Sequence, residues 1–239
     1  MAHIPRLHQP GPIAPGPVTL EGDQARRIGT VLRLREGDRF LMFGSDGQEW
    51  QVCVENVGRQ RVHARVEDMI RQERPPAPYM ELGIGIVRAN RMDWAIEKCV
   101  EAGVDSIRPL TTAFTSRGSG DSAKRMERWQ RVAVEAAEQS GRLFVPEILE
   151  PMSLDAWMHR EHGRLLFGDR EGQRWDKARE MVPSGGRVAF AIGPEGGFSQ
   201  EELAQLRAAG GIGVWLAPNI LRTETAAVVA TALVRSMQE

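Results

Sequence analysis

The chain of 239 residues carries 31 Lys and Arg against 32 Asp and Glu, a formal net charge of -1, with 41% hydrophobic and 26% charged residues. That balance fits a soluble globular protein able to bury cores without disulfides or metals, and it excludes global charge attraction as the basis of nucleic-acid binding, which has to come from a local basic surface. No leading segment reads as a cleavable signal and no apolar run reaches about 18 residues, so a cytoplasmic protein is expected.

The first part of the chain, 1–73, breaks into strand-like pieces. A short helix is expected around Gly22 to Val31, with Asp23 in its first turn. Arg39-Phe-Leu-Met-Phe43 precedes the turn Gly44-Ser-Asp-Gly47. In the next piece, Glu49 to Glu55, Trp50, Val52 and Val54 alternate with polar neighbours, and Val62, Ala64 and Val66 repeat the alternation in Arg61 to Glu67. A period of two places alternate side chains on opposite faces, and several such pieces fit a small β-barrel. The segment Arg26 to Arg39 holds five arginines (Arg26, Arg27, Arg33, Arg35 and Arg39) against Glu36 and Asp38. It is the best local candidate for an RNA-facing surface, beside the plainer reading of a solvated charged face.

Arg71-Gln-Glu-Arg-Pro-Pro-Ala-Pro-Tyr79 has three prolines and cannot persist as a central strand or helix. It marks a connection at 74–80 between a first domain at 1–73 and a second at 81–239. There Leu82 to Val87 reads as a buried strand. Met92, Ala95, Ile96, Cys99 and Val100 make a helical stripe ending near Gly103. Val104 to Leu110 reads as the next strand. The longest helical signal runs from Asp121 to Ser140, through Met126, Trp129, Val132, Ala133, Ala136 and Ala137. Strands are expected at 164–168, 187–192 and 212–216, and helices at 154–159, 201–209 and 224–237. Ser199 with Glu202 makes a capping-box signature. Strands alternating with helices imply an α/β layer with a mainly parallel sheet.

In such a sheet, ligands gather outside the C-terminal ends of the strands. Three ends here are rich in glycine, polar or arginine residues: Leu166 to Glu171, Ile192 to Ser199 and Leu216 to Ala226. In the middle loop Gly193, Gly196 and Gly197 permit close backbone approach, Pro194 limits the path, and Glu195 adds a carboxylate. As a bare pattern this is also a turn before a capped helix. It is neither a dinucleotide fingerprint nor a phosphate-binding P-loop. In the last loop Leu216, Ile220 and Leu221 offer an apolar wall and Pro218 and Asn219 turn the chain. Thr223 and Glu224 suit a helix start, while Arg222 presents a fixed cation. No Ser-His-Asp or Cys-His-Asn arrangement emerges. Cys53 and Cys99 read as small buried hydrophobes, and the five His residues lack zinc-site spacing, so no metal is expected.

The ordered segments resemble the bacterial 16S ribosomal-RNA (uracil-N3) methyltransferase family of the SPOUT superfamily. The resemblance spans nearly the whole chain. It rests on His3-Ile-Pro-Arg-Leu7, Arg27 to Leu34 with Gly37-Asp38, Val87 to Lys98, Glu101-Ala-Gly-Val104, Ile107-Arg-Pro109, Glu135 to Arg142 and Val145-Pro146. Ile192 to Phe198 and Ile220 to Ala226 complete the set. It departs where relatives commonly read Leu-Gly-Pro and this chain has Leu216-Ala217-Pro218, and where many have a histidine near Ile28 and this chain has Arg26-Arg27.

The resemblance implies an N-terminal PUA-like or OB-like β-barrel for RNA, a C-terminal trefoil-knotted α/β domain, S-adenosylmethionine as cofactor and S-adenosylhomocysteine as product. It further implies a homodimer and methylation at N3 of uridine 1498 of 16S ribosomal RNA in the assembled 30S subunit. On that reading three groups of residues hold the cofactor: Leu166, Phe167 and Gly168; Ile192, Gly193, Pro194, Gly196 and Gly197; Leu216, Ala217, Asn219, Ile220, Leu221 and Thr223. Arg222 stabilises the uracil anion, with Glu195 or Glu224 as proton acceptor or as the group orienting arginine. Arg6, Arg26, Arg33 and Arg35, with Arg91, Lys98 and Arg142, are the expected RNA contacts, Arg142 alternatively serving a dimer surface. Ribose 2′-O-methylation and a noncatalytic RNA-binding or ribosome-assembly role are the competing readings.

Overall fold

The structure is a computed structural model and describes residues 4–115 and 122–237. His3 of the first motif and Asp121, the expected helix start, lie outside the described residues. Contacts divide the chain into two compact units, one of 1–75 with 137–144, the other of 76–136 with 145–239.

In the first unit, β1 (Arg6–His8) and β2 (Gly16–Glu21) precede a short helix α1 (Gly22–Arg26), which runs into one π-helical turn, Arg27–Val31. Then come β3 (Arg39–Phe43), β4 (Gln48–Val57) and β5 (Arg61–Gln72). The five strands form one sheet in the order β1-β3-β4-β5-β2. The β1/β3 pair is parallel and the others antiparallel. The alternation expected of β4 and β5 is seen, since Val52, Val54, Val62, Ala64 and Val66 face a core that also contains Leu20, Phe40 and Met42. Ala25 of α1 and Ile28 of the π-turn pack into the same core, so the helix covers the apolar face of the sheet.

Residues 137–144, the last turn of a long helix and the loop after it, belong to this unit. Within this unit Arg6 fastens that segment to the sheet. Its Nε donates to Glu49 Oε1 at 2.6 Å, Nη1 to the carbonyls of Ala137 and Glu138 at 3.1 Å each, and Nη2 to the carbonyl of Arg142 at 3.0 Å. The guanidinium also lies over the Phe43 ring. Both Arg6 and Glu49 are buried, and a buried ion pair this well bonded is costly to break from one side.

The second unit is built on a parallel sheet. Its elements are β6 (Tyr79–Gly85), α2 (Ala89–Glu101), β7 (Ser106–Thr111), α3 (Ser122–Ser140), β8 (Glu147–Ile148), β9 (Met152–Ser153) and α4 (Leu154–Met158). They continue with β10 (Arg164–Arg174), α5 (Trp175–Ala178), β11 (Arg187–Ile192), α6 (Gln200–Ala208), β12 (Ile212–Trp215) and α7 (Thr223–Arg235). The sheet order is β12-β10-β11-β6-β7-β8, with β9 paired to β7. Strands covered on both faces read as continuous apolar runs, which is why β6 and β11 are buried along nearly their whole length. One face packs Leu110, Leu154, Trp157, Phe167, Ala191 and Leu206. On α2 the expected stripe (Met92, Ala95, Ile96, Cys99 and Val100) is buried, and α2 packs against α7. Burial pushes the Cys99 thiol up to about 12, so it behaves as an inert hydrophobe.

After β11 the chain passes β10 to form β12 on its far side. It then turns back so that α7 reaches α2, β6 and β11. Arg235, at the end of α7, secures that return by donating to the carbonyls of Gly103 at 2.7 Å and Pro78 at 2.8 Å and by pairing with Asp105.

Candidate active site

The C-terminal ends of β11 and β12 lie level with the point inside β10 where its register against β12 breaks, with Gly168 opposite Val214, Phe167 opposite Ala191 and Ile192 opposite Ile84 of β6. The strand expected to end at 168 continues to Arg174. Around them opens a cleft of ≈ 370 Å³. Gly193, Pro194, Glu195, Gly196 and Gly197 form one wall. Leu216, Ala217, Asn219, Ile220 and Leu221 form another, with Thr223 and Ala226 of α7 at its base. Gly168 and Ile192 line the strand ends between them.

Steric fit explains the glycines. A Cβ on Gly193 would stand 2.8 Å from the carbonyl carbon of Gly197, and one on Gly196 would stand 2.9 Å from Cβ of Phe114. A Cβ on Gly85, at the end of β6, would meet the Pro194 nitrogen at 2.4 Å. The 193–197 loop therefore folds tightly on itself and onto the sheet, with Gly197 at a positive φ of 71° that favours glycine. The expected capping box holds the exit of this loop: Ser199 Oγ accepts from the Glu202 amide at 3.1 Å, and Glu202 Oε2 from the Ser199 amide at 2.8 Å. The other Glu202 oxygen accepts from the Ala113 amide at 2.8 Å, fastening the segment after β7 beside the loop.

Several residues occupy other places than expected. The side chains of Leu166 and Phe167 are fully buried and do not line the cleft, because side chains within a parallel sheet are covered on both faces; the wall begins at Gly168. Thr223 is not the cap of α7. Arg222 holds the N-cap position without a side-chain cap bond, Thr223 is the first helical residue, and its buried Oγ1 has no hydrogen-bond partner among the described residues. Arg222 is exposed at the start of α7, next to the cleft-lining Leu221 and Thr223. Glu224 is buried at 8% exposure, behind the cleft wall rather than on it.

Four lining residues besides Ala226 were not singled out from the sequence. Asp169 and Arg170 project where β10 breaks register against β12 between Gly168 and Gln173, and Val214 and Trp215 come from β12 itself. Asp169 is locked, its Oδ2 accepting from Arg207 at 2.6 Å and its Oδ1 from the Glu171 amide at 3.0 Å. The sequence signal was the glycine at 172, where a Cβ would strike Gly213 at 2.5 Å, a close approach that forces the irregularity.

The model of the RNA methyltransferase domain family matches residues 74–235, and that of the RNA methyltransferase PUA domain matches 20–67. The chain belongs to the RNA methyltransferase family. A ribosomal RNA small subunit methyltransferase E from Synechocystis is 30% identical over 96% of this chain and 76% of its own length. Among solved structures, a Legionella pneumophila methyltransferase in complex with bound SAM superimposes at a TM-score of 0.90, with 30% identity and 98% of each chain covered. A ribosomal RNA small subunit methyltransferase E from Neisseria gonorrhoeae, bound to S-adenosyl methionine, gives 0.89 at 28% identity, covering 99% of this chain and 98% of that one. The fold of this RNA methyltransferase is thus a SPOUT α/β domain preceded by a PUA-like domain.

The expected RNA-contact residues of this methyltransferase fall into distinct settings. Arg26, Arg33 and Arg35 are exposed, and Arg33 is the one non-glycine residue among those described with a positive φ, 56°. Arg6 is buried, and its donors are directed to Glu49 and backbone carbonyls, so the RNA contact expected of it gives way to an internal one. Arg142 lends its carbonyl to Arg6. Lys98 lies between Glu101 at 2.7 Å and Glu97 at 2.8 Å, which raise its pKa and offset its charge. Arg91 faces Glu195 and Glu224.

Proposed function

We propose that this chain transfers the methyl group of S-adenosylmethionine to N3 of uridine 1498 in 16S ribosomal RNA, acting in the cytoplasm as a homodimer on the assembled 30S subunit. The observation that carries the proposal is the convergence of the irregular part of β10 and the loops after β11 and β12 on one cleft. The cleft suits the cofactor: Ile192, Leu216, Ile220 and Leu221 offer apolar surface, and the crowded glycine loop brings main-chain groups within reach of polar edges. Those walls, with Gly168, Ala217, Asn219 and Thr223, would hold it. When bound, S-adenosylmethionine supplies a methyl group already activated by its sulfonium.

The protein then has to orient the acceptor and manage its proton, because N3 of neutral uracil carries a hydrogen. Arg222 is exposed at the cleft edge, and no carboxylate among the described residues pairs with it, so its guanidinium can donate to a uracil oxygen as negative charge builds there. Helix α7 starts at the same point, and its positive end adds to that effect. In the first unit, exposed Arg26, Arg33 and Arg35 supply the phosphate contacts that a net charge of -1 cannot supply globally.

The test is incubation of the purified protein with labelled S-adenosylmethionine and 30S particles, beside naked RNA, followed by single-nucleotide mapping. The expected product is a base blocked on its Watson–Crick edge at uridine 1498. A modified ribose would mean 2′-O-methylation instead, and RNA association without methyl incorporation would mean a noncatalytic role.

A further inference from the structure

Arg91, in the second unit, has carboxylates on two sides. It lies near the start of α2, and its Nη1 is 3.4 Å from Glu195 Oε1 on the cleft wall, while its Nε is 3.8 Å from Glu224 Oε1 in the first turn of α7. The two carboxylates differ in setting. The Glu195 side chain is 36% exposed and lines the cleft; that of Glu224 is 10% exposed, and its Oε2 is buried with no hydrogen-bond partner among the described residues. The positive groups that face this poorly solvated carboxylate are the Arg91 guanidinium and the N-terminal turn of α7.

From this we infer that Glu195 is the proton acceptor of the reaction, and that Arg91, anchored from behind by Glu224, is a positioning residue that holds the Glu195 carboxylate toward the cleft rather than an RNA contact. The inference rests on the proposed uracil-N3 methylation and divides the roles within it. The N3–H bond breaks with its proton passing to a Glu195 oxygen. The nitrogen electron pair forms the new N–CH3 bond, the S–CH3 bond breaks, and its electron pair stays on sulfur, leaving S-adenosylhomocysteine and a protonated Glu195. The proton then leaves to solvent, which reaches the half-exposed side chain. Glu224 cannot take that part, because it lies off the cleft lining and faces α2.

An arginine suits the bridge for a geometric reason. Its planar fork addresses two carboxylates from separate nitrogens in fixed directions, whereas a lysine ammonium is a single point charge. A phosphate contact, in contrast, is largely preserved by lysine. The two roles therefore respond differently to the same substitutions.

The experiment measures kcat, KM for 30S particles and equilibrium S-adenosylmethionine binding for wild type, Glu195→Gln, Arg91→Ala, Arg91→Lys and Glu224→Gln, with thermal melting to confirm folding. Wild-type methylation at uracil N3 has to be present first; its absence defeats the proposed function itself, independently of the roles assigned here. Given that activity, Glu195→Gln is expected to lower kcat by about 10²–10⁴-fold, the usual contribution of a positioned base. Arg91→Ala is expected to lower kcat with KM and cofactor binding within about twofold of wild type, Arg91→Lys to recover only a minor part, and Arg91→Ala with Glu224→Gln to be no worse than Arg91→Ala alone. A raised particle KM with unchanged kcat in Arg91→Ala, restored by lysine, would establish an RNA contact and overturn the inference. A Glu195→Gln enzyme with near-normal kcat would overturn it as well. If Glu224→Gln melts early, the Arg91→Lys comparison still decides the matter, since it leaves the buried carboxylate and its countercharge in place.

Discussion

Arg6 in the first unit and Arg222 in the second are both arginines that sequence reasoning placed among functional candidates, and the structure gives them opposite surroundings. Arg6 is 8% exposed, with Glu49 and three carbonyls around its guanidinium. Arg222 is exposed at a helix start beside the cleft, with no carboxylate among the described residues paired to it. A cation whose donors are already satisfied holds chain segments together, and one whose donors are free can answer charge that appears on a ligand. The contrast is one of solvation and partners, which residue type alone does not reveal.

The largest effect that would sharpen this contrast is on stability. Glu49→Ala leaves the Arg6 charge buried without its carboxylate, and removing one side of such a pair costs about 3–5 kcal/mol. Denaturant unfolding is expected to show a loss of that size, and a loss below about 1 kcal/mol would mean that Arg6 is not a buried clamp. Next is Arg222→Ala, expected to leave the melting temperature near wild type while lowering kcat by about 10²–10³-fold, as for removal of a donor to a developing oxyanion. Unchanged kcat would break the comparison on the side of the second unit. Gly85→Ala follows: its Cβ would press on the Pro194 nitrogen, and overpacking of this kind costs about 1–3 kcal/mol, with weakened S-adenosylmethionine binding in calorimetry as the specific sign. The smallest effect belongs to Arg33→Ala and Arg35→Ala. Each is expected to reduce the slope of log affinity for RNA against log salt by about one, with cofactor binding untouched.

How far the sequence was legible depended on whether the signal was local. The β4 and β5 alternation, the α2 stripe and the Ser199–Glu202 box are carried by residues a few positions apart, and all three are present. The ends of β11 and β12 were legible because chain punctuation marks where strands stop, whereas β10 runs past the expected end at 168 to Arg174 through a register break. Strands β1 and β2 were missed, since three residues beside a proline show no period, and a six-residue strand that opens Gly16-Pro17 directly after Pro15 reads as loop. Leu166 and Phe167, expected among the cofactor-holding residues, have side chains buried within the sheet and off the cleft lining, because they belong to a strand covered on both faces. Arg91 with Glu195 and Glu224, or Arg6 with Glu49 and the carbonyls of 137–142, are meetings of residues far apart in sequence, and no local pattern encodes them. Asp169 lay within the Leu166 to Glu171 stretch picked out from the sequence, but its place on the cleft wall depends on the irregularity that the close approach of Gly172 to Gly213 forces in β10.

The central claim, that the second-unit cleft holds the methyl donor, is tested most directly by titrating S-adenosylmethionine calorimetrically into wild type, Gly193→Val and Arg33→Ala. The account expects saturable binding to wild type and Arg33→Ala with equal affinity, and none to a folded Gly193→Val, whose side chain has no room beside Gly197. Wild-type affinity retained in Gly193→Val would contradict it.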